Sequence, residues 1–250
     1  MKILVPTKRV PDTDQKIRVQ EDGLAIETAN LPFVINPFDA IAIEEAIQIR
    51  ETLADPVEIL AVGIGTTDYE AELRTALAMG ADRAILVENP EPLDPWNAAS
   101  ILAAVVRQEQ PDLVLMGKQA VDDDANQAGQ FLAAQLGWPQ ATFASRLEFT
   151  PKGCRVARET DHGIEVVHVD LPAVVTTDLR LNEPRYASLP GILKARKKEI
   201  QQLPVADLGV EITPRIKVLE LRSSSTRREC VRVQGVDELI DRLRNDAEVL

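Results

Sequence analysis

The stretch GKQAVDDDANQ, residues 117–127, holds the most suggestive chemistry of the chain. It follows the apolar run Leu113-Val114-Leu115-Met116. A glycine at the end of a buried strand, leading into a helix, is where α/β proteins often hold phosphate groups through main-chain N–H groups. Gly117, Lys118 and Gln119 fit that use, and Asn126 and Gln127 can add side-chain hydrogen bonds. Three consecutive carboxylates, Asp122, Asp123 and Asp124, fit it less well. A metal site would need several oxygens converging on one cation, whereas neighbours on a helix start point in different directions. Capping accounts for them better: Asp124 with Gln127 three residues on resembles a capping box, and acids suit the positive end of a helix. The spacing matches neither a P-loop nor GxGxxG. The residues alone therefore predict a nucleotide or phosphate loop whose acids serve the helix.

A second segment, LNEPRYASLPGILKARKKEI (181–200), sets Tyr186, Leu189, Pro190, Ile192 and Leu193 among cations that include Arg196. Its plain reading is a solvated basic face. The alternative is a docking surface, in which an aliphatic anchor fills a pocket while charges steer the encounter. Little else invites chemistry. His162 and His168 are the only histidines; Cys154 and Cys230 lie far apart without metal-ligand spacing. No HExxH, SGGxDS-type loop or Ser/His/Asp grouping occurs, so neither a catalytic set nor a metal site is expected.

The elements that must position these residues alternate. KILVP, VEILAVGIG, RAILVE and DLVLMG are apolar strands. Helices between them start at Asn36-Pro37, at Thr67 and at Asp94-Pro95; a fourth, NQAGQFLAAQL, ends at Gly137. Such alternation means βαβ units and a parallel sheet covered on both faces, with ligands outside the carboxyl ends of the strands. The loops to watch are then Pro6–Arg9, Gly63–Thr67 and Gly117–Asp124. After Trp138 an antiparallel meander is expected, with turns at TPKG and DHG, ending in PAVVTT. An exposed loop with a short basic helix follows, then an extended tail and the amphipathic VDELIDRLRND.

The totals set limits. The 250 residues carry 28 Lys and Arg against 40 Asp and Glu, a net charge of −12. That sign disfavours nucleic acid and anionic membranes, which need a cationic footprint. No leader and no run of roughly 20 apolar residues is visible, so a cytoplasmic protein without membrane insertion is expected.

The blocks NPFDAIAIEEA, RTALAMGADRA, GKQAVDDDANQAGQ, GWPQATFAS and LPAVVTTDLRLNEPRYASLPGILKARKKEI together resemble the β subunits of electron-transfer flavoproteins, from the first strand to about Val210. The resemblance implies an adenine-nucleotide α-hydrolase-like α/β sandwich with an antiparallel extension and an extended C-terminal arm. Residues 1–222 would form the nucleotide-binding domain, with the docking segment at 181–200, and residues 223–250 an arm on a partner α subunit. It further implies a structural AMP in the β subunit and a FAD held mostly by the α subunit. The heterodimer would carry electrons from acyl-CoA and related dehydrogenases to a membrane quinone oxidoreductase, without being an enzyme itself.

Carried over by position, the AMP site falls on Pro6, on Asn36, Pro37, Phe38 and Asp39, and on Ile64. It continues through Gly117, Lys118, Gln119, Ala120, Val121, Asp122, Asp123, Asp124, Ala125, Asn126, Gln127 and Ala128. Phe38 matches an aromatic near the FAD ring, and Glu159 an acid that influences the mobile flavin domain. The docking stretch is Tyr186–Arg196 with Leu189 as anchor and Lys197 and Lys198 beside it. One departure is Thr13, where some relatives carry tyrosine. A bifurcating subgroup holds a second FAD in place of AMP, but the intact loop resembles the AMP type. The rival reading is a nucleotide-dependent enzyme of the same fold.

Overall fold

The computed structural model describes residues 1–150, 153–223 and 230–250. Met1–Lys16 with Thr28–Val218 form one compact unit; Ile17–Glu27 with Leu219–Leu250 form a second.

The first unit is built on β1 (Lys2–Pro6), with a small ribbon of β2 (Arg9–Pro11) and β3 (Phe33–Ile35) beyond its end. Then come α1 (Pro37–Thr52), β4 (Glu58–Gly65), α2 (Glu70–Met79), β5 (Arg83–Glu88), α3 (Pro95–Glu109), β6 (Leu113–Gly117) and α4 (Ala128–Leu136). The chain continues through β7 (Gln140–Thr150), β8 (Gly153–Thr160), β9 (Gly163–Asp170), β10 (Ala173–Thr177), α5 (Leu189–Ala195) and β11 (Ile200–Pro204). The main sheet runs β11-β5-β4-β1-β6-β10-β7-β8-β9. From β11 to β7 every pairing is parallel, and only β8 and β9 are antiparallel.

Alternation along the parallel strands builds two cores. Ile3, Val5, Ile59 and Ala61 face α1 and α2, with Ile43, Ile47 and Leu73. Leu4, Leu60, Val62 and Val114 face α3 and α4, with Ile101, Val105 and Leu132. Strands buried on both faces are continuously apolar, which is why KILVP and DLVLMG read as they do. The chain winds outward from β1 to β4 and β5, then crosses back to β6 on the other side of β1. The carboxyl ends of β1 and β6 therefore flank the topological switch point, where such sheets leave a crevice.

The helix boundaries follow their caps, with exceptions. Asp94 caps α3 by accepting the Asn97 N–H at 2.9 Å, and Gly80 and Gly137 end α2 and α4 with positive φ. Thr67 does not cap α2: it opens a short 3-10 turn, Thr67–Tyr69, and α2 begins at Glu70. PAVVTT is not the last strand of the meander. As β10 it inserts between β6 and β7, parallel to both. All five of its residues are buried, as an interior strand requires, whereas β9 is mostly exposed. The start of the expected extended tail, QQLP, pairs with β5 together with Ile200 as the edge strand β11.

In the second unit Val19 bridges Ile26 around a turn, and the Leu221 N–H donates to the Gly23 carbonyl at 2.7 Å. Its helix, α6 (Val236–Asn245), has Asp237 and Glu238 in its first turn and Arg242 and Arg244 in its last, matching the helix dipole. Among the described residues no helix is long and apolar enough to cross a membrane.

Leu4, fully buried on the central strand, gives a test of the layering. Leu4→Ala should lower unfolding stability by about 3–5 kcal/mol in urea titration. A loss under about 1 kcal/mol would place β1 outside the core.

Candidate functional site

The site begins at the N terminus of α1. Pro37 in the first turn presets helical φ, and Asn36 precedes it. Asn36 occupies the cap position, yet its side chain makes no cap bond. It reaches across to the loop after β6, donating to the Gln119 carbonyl at 2.8 Å and accepting the Val121 N–H at 3.2 Å. Asp39, buried in the first turn, accepts the Lys8 N–H and the Gly117 N–H, each at 2.8 Å. Burial pushes its carboxyl up to about 6, against the pull of those two N–H groups.

This contact changes the reason for Gly117. A Cβ there would lie 2.5 Å from Asp39 Oδ1 and 2.6 Å from Phe38 Cβ. The glycine is required by the close approach of α1, and its N–H is taken by Asp39. The Lys118 N–H is likewise engaged, by the Thr177 carbonyl at 3.1 Å. Neither main-chain group is available to a ligand, contrary to the cradle read from the sequence.

The acids are engaged too. Lys8 Nζ donates to Asp122 at 2.8 Å and to Asp123 at 2.9 Å. Burial alone would lower the Lys8 pKa, but Asp122 and Asp123 more than offset that and hold it above its usual value. Asp124 takes a left-handed φ of 52° and its carboxylate accepts the Gln119 side-chain amide. Asp123 also accepts the Ala125 N–H at 3.1 Å. The capping box is therefore absent. Gln127 is the N-cap of α4 and makes no side-chain cap bond. Among the described residues no side chain covers the orphan N–H groups of that first turn.

These elements surround a cavity of about 880 Å³ at the switch point. Of the residues expected there, Pro6, Asn36, Asp39, Ile64, Gly117, Lys118, Gln119, Ala120, Asp123, Ala125, Asn126, Gln127 and Ala128 line it. Pro37, Phe38, Val121, Asp122 and Asp124 do not. The cavity also has walls the sequence reading missed. Tyr69 lies over Gly65, where a Cβ would meet its ring at 2.3 Å, so Gly65 makes room for an aromatic four residues later. Asn89 and the NPEPLDP turn close the side beyond β5. The strand-end rule, applied to RAILVE as it was to the other strands, would have found that turn.

The other expected positions lie outside the cavity. Phe38 is buried, with the Lys118 ammonium 5.3 Å from its ring and 5.4 Å from that of Phe143. Lys118 pairs with Asp178 at 2.7 Å. Glu159, on β8, pairs with Arg180. Tyr186 and Leu189 are 97% and 70% exposed, and Pro190, Ile192, Leu193 and Arg196 are exposed beside them on α5 and its end. Ser188 caps α5 by accepting the Gly191 N–H at 3.2 Å.

Residues 23–208 match the family described as electron transfer flavoprotein domain. The chain is 51% identical to the electron transfer flavoprotein subunit beta of Bradyrhizobium diazoefficiens, with all of both chains covered. It is also 51% identical to the mitochondrial subunit beta of Arabidopsis thaliana, again over the whole of both. To the subunit beta of Homo sapiens it is 45% identical, covering 98% of this chain and 97% of the relative.

Removing the Asp39 side chain tests the site's construction. Asp39→Ala leaves one buried and one part-buried N–H group without an acceptor and should lower stability by about 2–5 kcal/mol. The folded-state value near 6 lies above the ordinary 3.8. The group's contribution is therefore full below the ordinary value and is lost as pH rises through about 6. The deficit of the variant in urea should be greater at pH 5 than at pH 7, by about 1 kcal/mol. Equal deficits at the two pH values would contradict the assignment.

Proposed function

The chain belongs to the electron transfer flavoprotein family as a β subunit, and on that premise we propose that it pairs with an α subunit into an electron carrier and holds AMP in the strand-end cavity. The observation that carries the AMP reading is the uncapped N terminus of α4, with Gln127, Ala128 and Gly129 on the cavity wall. A helix N terminus favours a phosphate through its free N–H groups and its dipole. The acids nearby do not oppose this at full strength, because Asp122 and Asp123 are paired with Lys8. A cavity of about 880 Å³ lies in the range of small-ligand sites, roughly 300–1,000 Å³. AMP so held would bridge the loops after β1, β4 and β6 and stabilise the fold by binding only the native state.

FAD, held mostly by the α subunit, supplies the redox chemistry when bound. The part of this chain is to wall the flavin on one side, where Phe38, Lys118 and Phe143 form a cluster of rings and one cation. Glu159, tethered to Arg180, is the residue proposed to influence the mobile flavin domain. Of the arm expected at residues 223–250, residues 224–229 lie outside the described residues, and the rest would pack on the α subunit. The Tyr186–Arg196 segment docks acyl-CoA and related dehydrogenases, with Leu189 as anchor. Exposed apolar side chains there, beside the exposed cations Lys194, Arg196 and Lys197, support that reading. A quinone oxidoreductase would take the electrons onward, and the bacterial cytoplasm is the proposed location.

Two measurements test this. Heterodimer denatured after purification should release about one AMP per heterodimer, read by liquid chromatography of the supernatant. A second FAD in its place would assign the chain to the bifurcating class. Leu189→Ala should slow reduction by an acyl-CoA dehydrogenase roughly tenfold or more while AMP and FAD contents stay as in the wild type. An unchanged rate would remove the docking assignment.

A further inference from the structure

The docking segment is held from outside itself. A helix as short as α5 has little stability in isolation, so its shape depends on what grips its ends. At the far end Arg74 of α2 donates to the carbonyls of Ala195, at 2.8 Å, and Lys198. Lys198 Nζ donates to the Ala81 carbonyl at 2.7 Å. At the near end the grip is ionic. Arg185 Nε and Nη2 donate to the two oxygens of Glu44 at 2.8 and 3.0 Å, and Nη1 and Nη2 to those of Glu51 at 2.7 and 3.0 Å. The Arg185 N–H adds a bond to Glu44 at 3.2 Å. Asn182, three residues earlier, donates to the Ile41 carbonyl and to Glu45.

Both Glu44 and Glu51 belong to α1, so one guanidinium clamps the start of the segment to the helix whose N terminus builds the cavity. Its two carboxylate partners hold the Arg185 pKa above its usual value, and the Glu44 carboxyl, despite its burial, lies below its own. An isolated surface ion pair contributes little. Here one partner is buried and both pairs are bidentate, a geometry that only a planar guanidinium can serve. Tyr186, at 97% exposure, is the next residue in the chain.

We propose that Arg185 is a positioning residue for partner docking: its paired bidentate contacts with Glu44 and Glu51 hold Tyr186–Leu193 in the shape that the partner receives. It touches no partner itself. Preordering an anchor removes part of the entropy cost of binding, so the effect belongs to the encounter and not to electron transfer within the bound complex. The proposal rests on the docking role of Leu189.

The test uses the heterodimer with Arg185→Ala, Arg185→Lys, Glu51→Gln and Leu189→Ala. Two readouts are taken: trypsin cleavage after Arg196 and Lys197, and reduction by a purified acyl-CoA dehydrogenase charged with its acyl-CoA. Arg185→Ala should speed cleavage roughly tenfold and raise the half-saturating heterodimer concentration about fivefold or more, with limiting rate and flavin content unchanged. Arg185→Ala leaves the buried Glu44 unpaired and can weaken the fold. Glu51→Gln, which breaks only the outer pair, should therefore show the same changes at smaller size. Arg185→Lys should recover less than half of the loss, since an ammonium cannot serve two carboxylates bidentately. Wild-type cleavage and half-saturation in Arg185→Ala would overturn the proposal. So would faster cleavage with unchanged half-saturation while Leu189→Ala still raises it. If Leu189→Ala is itself silent, the docking reading fails first and the role of Arg185 falls with it.

Discussion

The carboxylate of Asp39 sits where the N terminus of α1 meets the ends of β1 and β6, and it accepts one backbone N–H from each side. One of those N–H groups, that of Lys8, lies two residues past β1 and the other, that of Gly117, is on the last residue of β6, and left unpaired they would each cost about 1–3 kcal/mol. One side chain therefore satisfies two loops at once and fixes the distance between them. Gly117 follows from it, since any Cβ there would strike Asp39 and Phe38. Asn36 extends the same clamp to Gln119 and Val121, and Thr177 Oγ1 closes it by donating to the Phe38 carbonyl at 2.9 Å. The crevice at the switch point owes its walls to these contacts.

The same logic resolves the run of aspartates. Three carboxylates beside a proposed phosphate site would raise its electrostatic cost if they stood free. Lys8 arrives from the end of β1 and pairs with two of them, so the charge is balanced where the loops are joined. The third turns back to Gln119 with a left-handed backbone. The acids brace the loop and leave the N terminus of α4 without a side-chain cap among the described residues, which is the property a bound anion needs.

Much of this was legible in the residues, and what was not has definite physical reasons. Apolar runs, proline starts and glycine stops specify the alternation of strands and helices because each is a local signal. Strand order is not local. The insertion of β10 between β6 and β7 required a pairing partner sixty residues away, although its unbroken apolar character marks it as interior. The capping box failed for a similar reason: Lys8 competes for the acids from more than a hundred residues away. Family resemblance supplied Asn36 and Asp39 as site positions, but only the packing shows that they build the wall. Tyr69, which carries no motif, became visible only with the cavity, whereas Asn89 stands at a strand end that the rule used for the other strands also marks. Arg185, one more cation in a basic segment, gained its meaning from two glutamates on α1.

The proposed nucleotide would sit at the ends of β1, β4 and β6 against the start of α4. Amide hydrogen exchange on the heterodimer, stripped of nucleotide and then supplied with AMP, locates that seat most directly. Protection should rise at the amides of Gln119, Ala120 and Ala128–Gln130 and around Thr66–Tyr69, with little change in β8 and β9. Unchanged exchange at those amides with saturating AMP, or protection confined to another part of the chain, would contradict it.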